Sequence, residues 1–144
     1  MTTVNKDAII KSLQELGIQK GDMVIVHSSF KSMGYVEGGA ETVISAFLDV
    51  IGAEGTLVFP TLVQKDFENA YETWHMDKPS DVGYLTEYFR KREGSLRSTF
   101  SSGAKICSTQ VGEPMAPKRV RSFLPRSLKD TIFTGLSFTF WIMR

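Results

Sequence analysis

The sequence predicts an α/β fold, layered αβα, with a mostly parallel sheet built on one βαβ unit. Three observations carry that class. Met23-Val24-Ile25-Val26 is a continuous run rich in β-branched residues, the pattern of a strand buried on both faces, and Leu57-Val58-Phe59 repeats it one helix later. Between them Ala40, Val43, Ile44, Phe47, Leu48 and Ile51 recur at helical spacing, so all six share the face that a crossover helix presses on its sheet.

The remaining elements follow in order. Asn5 suits the cap of a first helix, with Ile9, Leu13 and Leu16 on one side and Gly17 as its stop. Gly52 stands where a left-handed residue would end the crossover helix, and Pro60 closes the second strand. From Leu62 to Pro79 the chain is polar and aperiodic, which predicts a long loop beyond a strand's carboxyl end, where substrate-contacting loops tend to lie. Ser80 suits the cap of a third helix, with Tyr84, Leu85, Tyr88 and Phe89 as its apolar stripe, Arg90, Lys91 and Arg92 near its carboxyl end and Gly94 after it. Beyond Ser98, Pro114, Pro117 and Pro125 interrupt any long helix, and Leu136, Phe138, Phe140 and Ile142 alternate as in a strand.

Composition bounds the class of protein. A chain of 144 residues with 42% hydrophobic and 23% charged residues holds one ordinary globular core. No apolar run approaches the roughly 18 residues of a membrane span, and the amino terminus lacks the layout of a signal peptide, so the expectation is a cytoplasmic protein with no membrane partner. Cys107 is the only cysteine, which excludes an intrachain disulfide and a cysteine-rich metal site. The net charge of +1 hides an asymmetry. Through Ser98 there are 10 Lys and Arg against 14 Asp and Glu, and from Thr99 onward 7 against 2, so the two parts carry −4 and +5. This divides the chain into residues 1–98 and a divergent basic tail, 99–144.

In open parallel sheets ligands bind beyond the carboxyl ends of the strands, and here those ends carry His27-Ser28-Ser29 and Pro60-Thr61. Gly38 and Gly39 directly precede the crossover helix, whose positive dipole end and unencumbered N–H groups suit an anion such as a phosphate. A tight turn and a serine helix cap are the alternative readings of those residues. Neither a Rossmann fingerprint nor a P-loop is present.

The succession VHSSF, SMGYVEGGAETVISAF, GTLVFPT and KPSDVGYLTEYFRKREGSLRS resembles the antibiotic N-acetyltransferase family, whose best-known members are the aminoglycoside 3-N-acetyltransferases. The resemblance runs from Gly21 to Ser98 and implies acetyl transfer from acetyl-CoA, as co-substrate, to an amine of an aminoglycoside. It implies a CoA site at His27, Ser28, Ser29, Gly38, Gly39 and Ala40, with Arg97 reaching a CoA phosphate and Ser98 beside it. Asp66 is the closest match to a family aspartate that assists the reactive amine, within an acidic loop suited to a polycation. His27 is expected to orient the serines or pack beneath the site, and His75 to have a surface or packing role.

Past Ser98 the chain departs from the family pattern, which places its catalytic histidine and a glutamate on later segments. The departure implies an incomplete version of the family fold with no assigned general base, and a tail that is either frame-shifted or truncated or the loop-rich sequence of an unfamiliar family variant. Acetyl transfer needs a deprotonated amine, a carbonyl in reach and a stabilised oxyanion, and only the last two have candidates here. Two further readings stay open: an inactive remnant that at most binds CoA, and a small α/β protein whose basic tail contacts nucleic acid. The tail carries no nucleic-acid-binding motif, so no nucleic-acid partner is expected. No metal is expected, and neither the acceptor nor the oligomeric state is encoded in any motif.

Overall fold

The computed structural model describes residues 3–61, 63, 65, 75–97, 106–110, 132–135 and 138–143. Three helices are described: α1 (Lys6–Glu15), α2 (Gly39–Ile51) and α3 (Tyr84–Lys91). The strands are β1 (Thr3–Val4), β2 (Met23–Ser28), β3 (Tyr35–Val36), β4 (Thr56–Pro60), β5 (Leu96–Arg97), β6 (Ile106–Gln110), β7 (Ile132–Gly135) and β8 (Phe138–Met143). Among these residues no helix is long and apolar enough to cross a membrane.

The expected βαβ unit is present. β2 and β4 pair in parallel, Val24 opposite Leu57 and Ile25 opposite Val58, with α2 returning the chain between them. Every apolar position assigned to the helix's inner face is buried except Leu48, which is partly buried. Gly52 ends α2 at φ 67°, and its N–H is donated to the Leu48 carbonyl at 2.9 Å. A hydrogen bond of 2.8 Å from the Gly21 N–H to the Ile51 carbonyl ties the entrance of β2 to the exit of α2.

Asn5 caps α1 as expected, its side-chain oxygen accepting the Ala8 N–H at 2.9 Å. Ile9 and Leu13 then enter the same cluster as Val24, Val26, Phe47, Leu57, Phe59, Leu85 and Phe89. Because side chains alternate along a strand, Val24, Val26, Leu57 and Phe59 define the helix-covered face, and all three described helices contribute to it. The layering is thus described on one side of the sheet. Full burial of each large apolar side chain contributes about 1.5–3 kcal/mol, which makes this cluster the stabilising centre of the described chain.

Two expectations change. Among the described residues the six-stranded sheet has the order β5-β6-β4-β2-β8-β7, with β2 and β4 as its one parallel pair. Its parallel character is confined to the centre because each further parallel strand requires a crossover such as α2, whereas antiparallel strands do not. The basic tail supplies β6, paired with β4, and β8, paired with β2 along Met23–Ser28, so the compositional boundary at Ser98 does not divide the sheet. The alternation of Phe138, Phe140 and Ile142 does form a strand. Leu136 and the three prolines of the tail lie outside the described residues.

Ser80 does not cap α3. The helix starts at Tyr84 after Gly83, at φ 155°, and the Ser80 N–H is instead donated to Glu87 Oε2 at 2.8 Å. The apolar stripe is narrower than the spacing predicts: Leu85 and Phe89 are buried, but Tyr84 and Tyr88 are exposed.

Candidate functional site

In a right-handed βαβ unit the helix starts at the end where the strands finish, so the start of α2 and the carboxyl ends of β2 and β4 share one edge. This topology brings Ser28, Ser29, Gly38, Gly39 and Ala40 to the same edge as Pro60 and Thr61. After β2 a 3-10 turn (Phe30–Met33) and β3 carry the chain across to the glycines.

Gly38 and Gly39 have φ of 75° and 66°, a conformation that L side chains rarely adopt, and no side chain caps the helix they open. A Cβ on Gly39 would meet nothing within 4 Å, whereas one on Gly38 would collide with Thr42 Oγ1. The space beside Gly39 is thus open at the start of the helix, whose dipole and first-turn N–H groups suit an anion, while Lys6, Asp7 and Glu37 line the pocket at Gly38. Ala40 is buried, so its contribution there is its main chain alone. Glu41 in the same turn would oppose an anion, but the Arg92 guanidinium reaches it with contacts of 3.2–3.3 Å.

Ser29 is exposed and makes no side-chain capping bond, which sets aside the helix-cap reading of its hydroxyl. Its carbonyl, by contrast, accepts from the Ser32 hydroxyl at 2.6 Å and from the Ser32 N–H at 3.1 Å, fixing the turn.

His27 is where the structure corrects the expected site. Alternation places it on the sheet face opposite Val24 and Val26, and so away from α2 and its glycines. It is exposed and does not pack beneath the site. The protein around it still removes enough water to lower its pKa from the ordinary 6.5, because desolvation disfavours the imidazolium.

Arg97 is a second correction. Its Nη1 donates to the carbonyls of Met76 at 2.7 Å and Lys78 at 2.5 Å, and its Nη2 to that of Thr61 at 3.1 Å. The fork expected to meet a phosphate is filled by main-chain oxygens, as a planar multi-donor cation allows. Asp66 and Ser98 lie outside the described residues. His75 is exposed, in keeping with the surface role expected of it.

Three features were not read from the sequence: the carbonyl clamp of Arg97, the Asp81 side chain accepting the Lys65 N–H at 2.8 Å, and the Glu87 carboxylate on the Ser80 N–H. Glu87 also holds the Arg90 guanidinium through contacts of 2.6 and 2.8 Å. Arg90 is the chief cause, with the Ser80 N–H and Lys91 adding to it, of a Glu87 pKa lowered to about 2 against the opposing effect of burial. The Glu87–Arg90 spacing was a visible signal; a side chain bonding distant main chain has none.

The family described as aminoglycoside 3-N-acetyltransferase matches residues 25–102, more than half of the chain. Aminoglycoside N(3)-acetyltransferase III of Salmonella sp is 45% identical over 127 residues, covering 76% of this chain and 44% of the relative. The SPbeta prophage-derived aminoglycoside N(3')-acetyltransferase-like protein YokD of Bacillus subtilis is 50% identical over 56 residues, covering 39% of this chain and 21% of its own. The crystal structure of YokD superimposes with a TM-score of 0.64 at 28% identity, over 74% of this chain and 51% of that one. A mutant of aminoglycoside acetyltransferase AAC(3)-IVa in complex with apramycin gives 0.67 at 26% identity, over 76% and 44%. AAC-IIIb, solved with CoASH, shares the fold with a TM-score of 0.64 at 22% identity, over 76% and 47%. The chain spans about half the length of the relatives it matches.

Proposed function

This chain belongs to the aminoglycoside 3-N-acetyltransferase family, and from that premise we propose that it provides the acetyl-CoA side of an enzyme that acetylates an amino group of an aminoglycoside. The observation that carries this reading is the uncapped start of α2 behind two consecutive positive-φ glycines, on the edge where β2 and β4 end. The first-turn amides of α2 would hold the pyrophosphate of CoA, and the Ser29 hydroxyl would bond the pantetheine arm or the thioester oxygen. Ser28 lies at the same edge, on the last residue of β2. In the transfer the amine nitrogen attacks the thioester carbonyl, the carbon–sulfur bond breaks, the thiolate leaves, and the amine proton passes to a base. Asp7 and Glu37 line the pocket at Gly38, but neither is assigned as that base.

Calorimetry of the full chain with CoA tests the reading. Gly39→Ala places a methyl group in the open approach and should weaken CoA roughly tenfold, and Ser29→Ala should weaken it roughly fivefold by removing one hydrogen bond. Unchanged affinity in both variants would remove the site. On the same protein, thiol release from acetyl-CoA with apramycin is expected below about 1 s⁻¹, the low end of typical enzymes, because no base is assigned among the described residues. Faster turnover that disappears in His27→Ala would assign the base to His27.

A further inference from the structure

One guanidinium joins two parts of the chain that are far apart in sequence. Thr61 is the residue leaving β4, while Met76 and Lys78 belong to the segment returning toward α3, and Arg97 of β5 holds the carbonyls of all three. The returning segment is itself a turn, the Lys78 N–H being donated to the His75 carbonyl at 3.1 Å. Between the two clamped carbonyls sits Asp77, exposed. The turn thus lies within the span of one guanidinium of the end of β4, at the edge of the sheet that carries the glycine site.

Two further bonds fasten the same limbs. The Lys65 N–H reaches Asp81, and the Ser80 N–H reaches Glu87. A charged side chain that bonds main-chain carbonyls leaves neighbouring side chains available, and here the one left exposed between two gripped carbonyls is an acid. Its sign suits a polyamine and repels the phosphates of CoA.

We propose that Arg97 is a positioning residue for the amine acceptor: it holds the His75–Lys78 turn at the carboxyl edge of β4 so that the Asp77 carboxylate meets a cationic amino group. This rests on the acetyltransferase reading above and names a second contact of the same site, on the acceptor side. Arg97 acts through Asp77 and touches neither substrate. Lysine cannot replace it fully, since a single ammonium lacks the rigid fork that grips both limbs.

The test uses the full chain, with apramycin and CoA as separate calorimetric probes. Arg97→Met and Asp77→Asn should each weaken apramycin roughly tenfold and leave CoA within about twofold. Because one residue acts through the other, the double variant should be no weaker than Arg97→Met, and Arg97→Lys should fall between. Hydrogen exchange at the Lys65, Lys78 and Ser80 amides should accelerate in Arg97→Met while the amides of Val24 and Val26 stay protected. Weaker CoA with unchanged apramycin would return Arg97 to a phosphate role and overturn the proposal, as would additive effects of the two substitutions. If the unmodified chain binds CoA but not apramycin, the acceptor role falls while the CoA reading stands. Unchanged exchange at Lys78 in Arg97→Met would sink the clamp whatever the ligands do; should Arg97→Met not fold, Arg97→Lys carries the same exchange and binding readouts.

Discussion

The βαβ unit from Met23 to Pro60 and the described residues between Thr61 and Arg97 are held together by different physics. The first is bound by apolar burial: Val24, Val26, Val43, Ile44, Phe47, Leu57 and Phe59 are all but sealed from solvent. In the second, charged side chains grip main-chain groups: Arg97 on three carbonyls, Asp81 on the Lys65 N–H and Glu87 on the Ser80 N–H. Among the described residues of the second region, Leu85 and Phe89 enter the shared core, Phe89 with its ring 4.6 Å from that of Phe59. The difference teaches a division of labour. Non-directional packing supplies stability over many contacts, whereas the directional bonds fix the position of a polar turn that could not be placed by burial.

If that division is right, substitutions in the two regions should differ in size and in kind. The largest effect is expected from Phe47→Ala, which removes a ring about 1% exposed and leaves a cavity in the middle of the cluster. It should cost about 3–5 kcal/mol and lower the unfolding midpoint of the whole described chain in denaturant. A loss below about 1 kcal/mol would mean that burial does not dominate this region.

Glu87→Gln probes the polar region and should cost less, about 1–2 kcal/mol at pH 7, since the group keeps some contact with water. The sign with pH follows from its depressed pKa. Folded Glu87 titrates at about 2, below its ordinary 4.5, so its stabilisation is fully present above about 4.5 and is lost as the pH falls toward 2. Stability curves of the two proteins should therefore converge over that interval. Curves that stay parallel would show that the Glu87 carboxylate charge contributes nothing to the fold.

The smallest of the three is Asn5→Ala, at the edge of the apolar region. It removes one directional bond, to the Ala8 N–H, and should cost about 1 kcal/mol in thermal or chemical denaturation. An effect as large as that of Phe47→Ala would blur the contrast, since it would give one cap the weight of a core ring.

The residues by themselves determined the βαβ unit, the Asn5 cap, the Gly52 stop and the glycine turn before α2. Each depends on neighbours a few positions away: periodicity of 3.6 or 2, a cap three residues from its target, a glycine where φ turns positive. Such interactions leave a local signature because the partners are close along the chain.

Only the tertiary structure decided the rest. That the sheet is antiparallel on either side of β2 and β4, with strands from the basic tail, depends on pairings between residues more than forty positions apart, such as Pro60 with Ile106 and Ser28 with Phe138. His27 sits in the sequence beside two site serines, yet strand alternation turns it to the other face. Arg97 stands where a phosphate ligand was expected, yet its donors are taken by Thr61, Met76 and Lys78, 36, 21 and 19 residues away. Every residue but proline offers the same N–H and every residue the same carbonyl, so a side chain that bonds distant main chain selects its partner by place and leaves no mark in residue type.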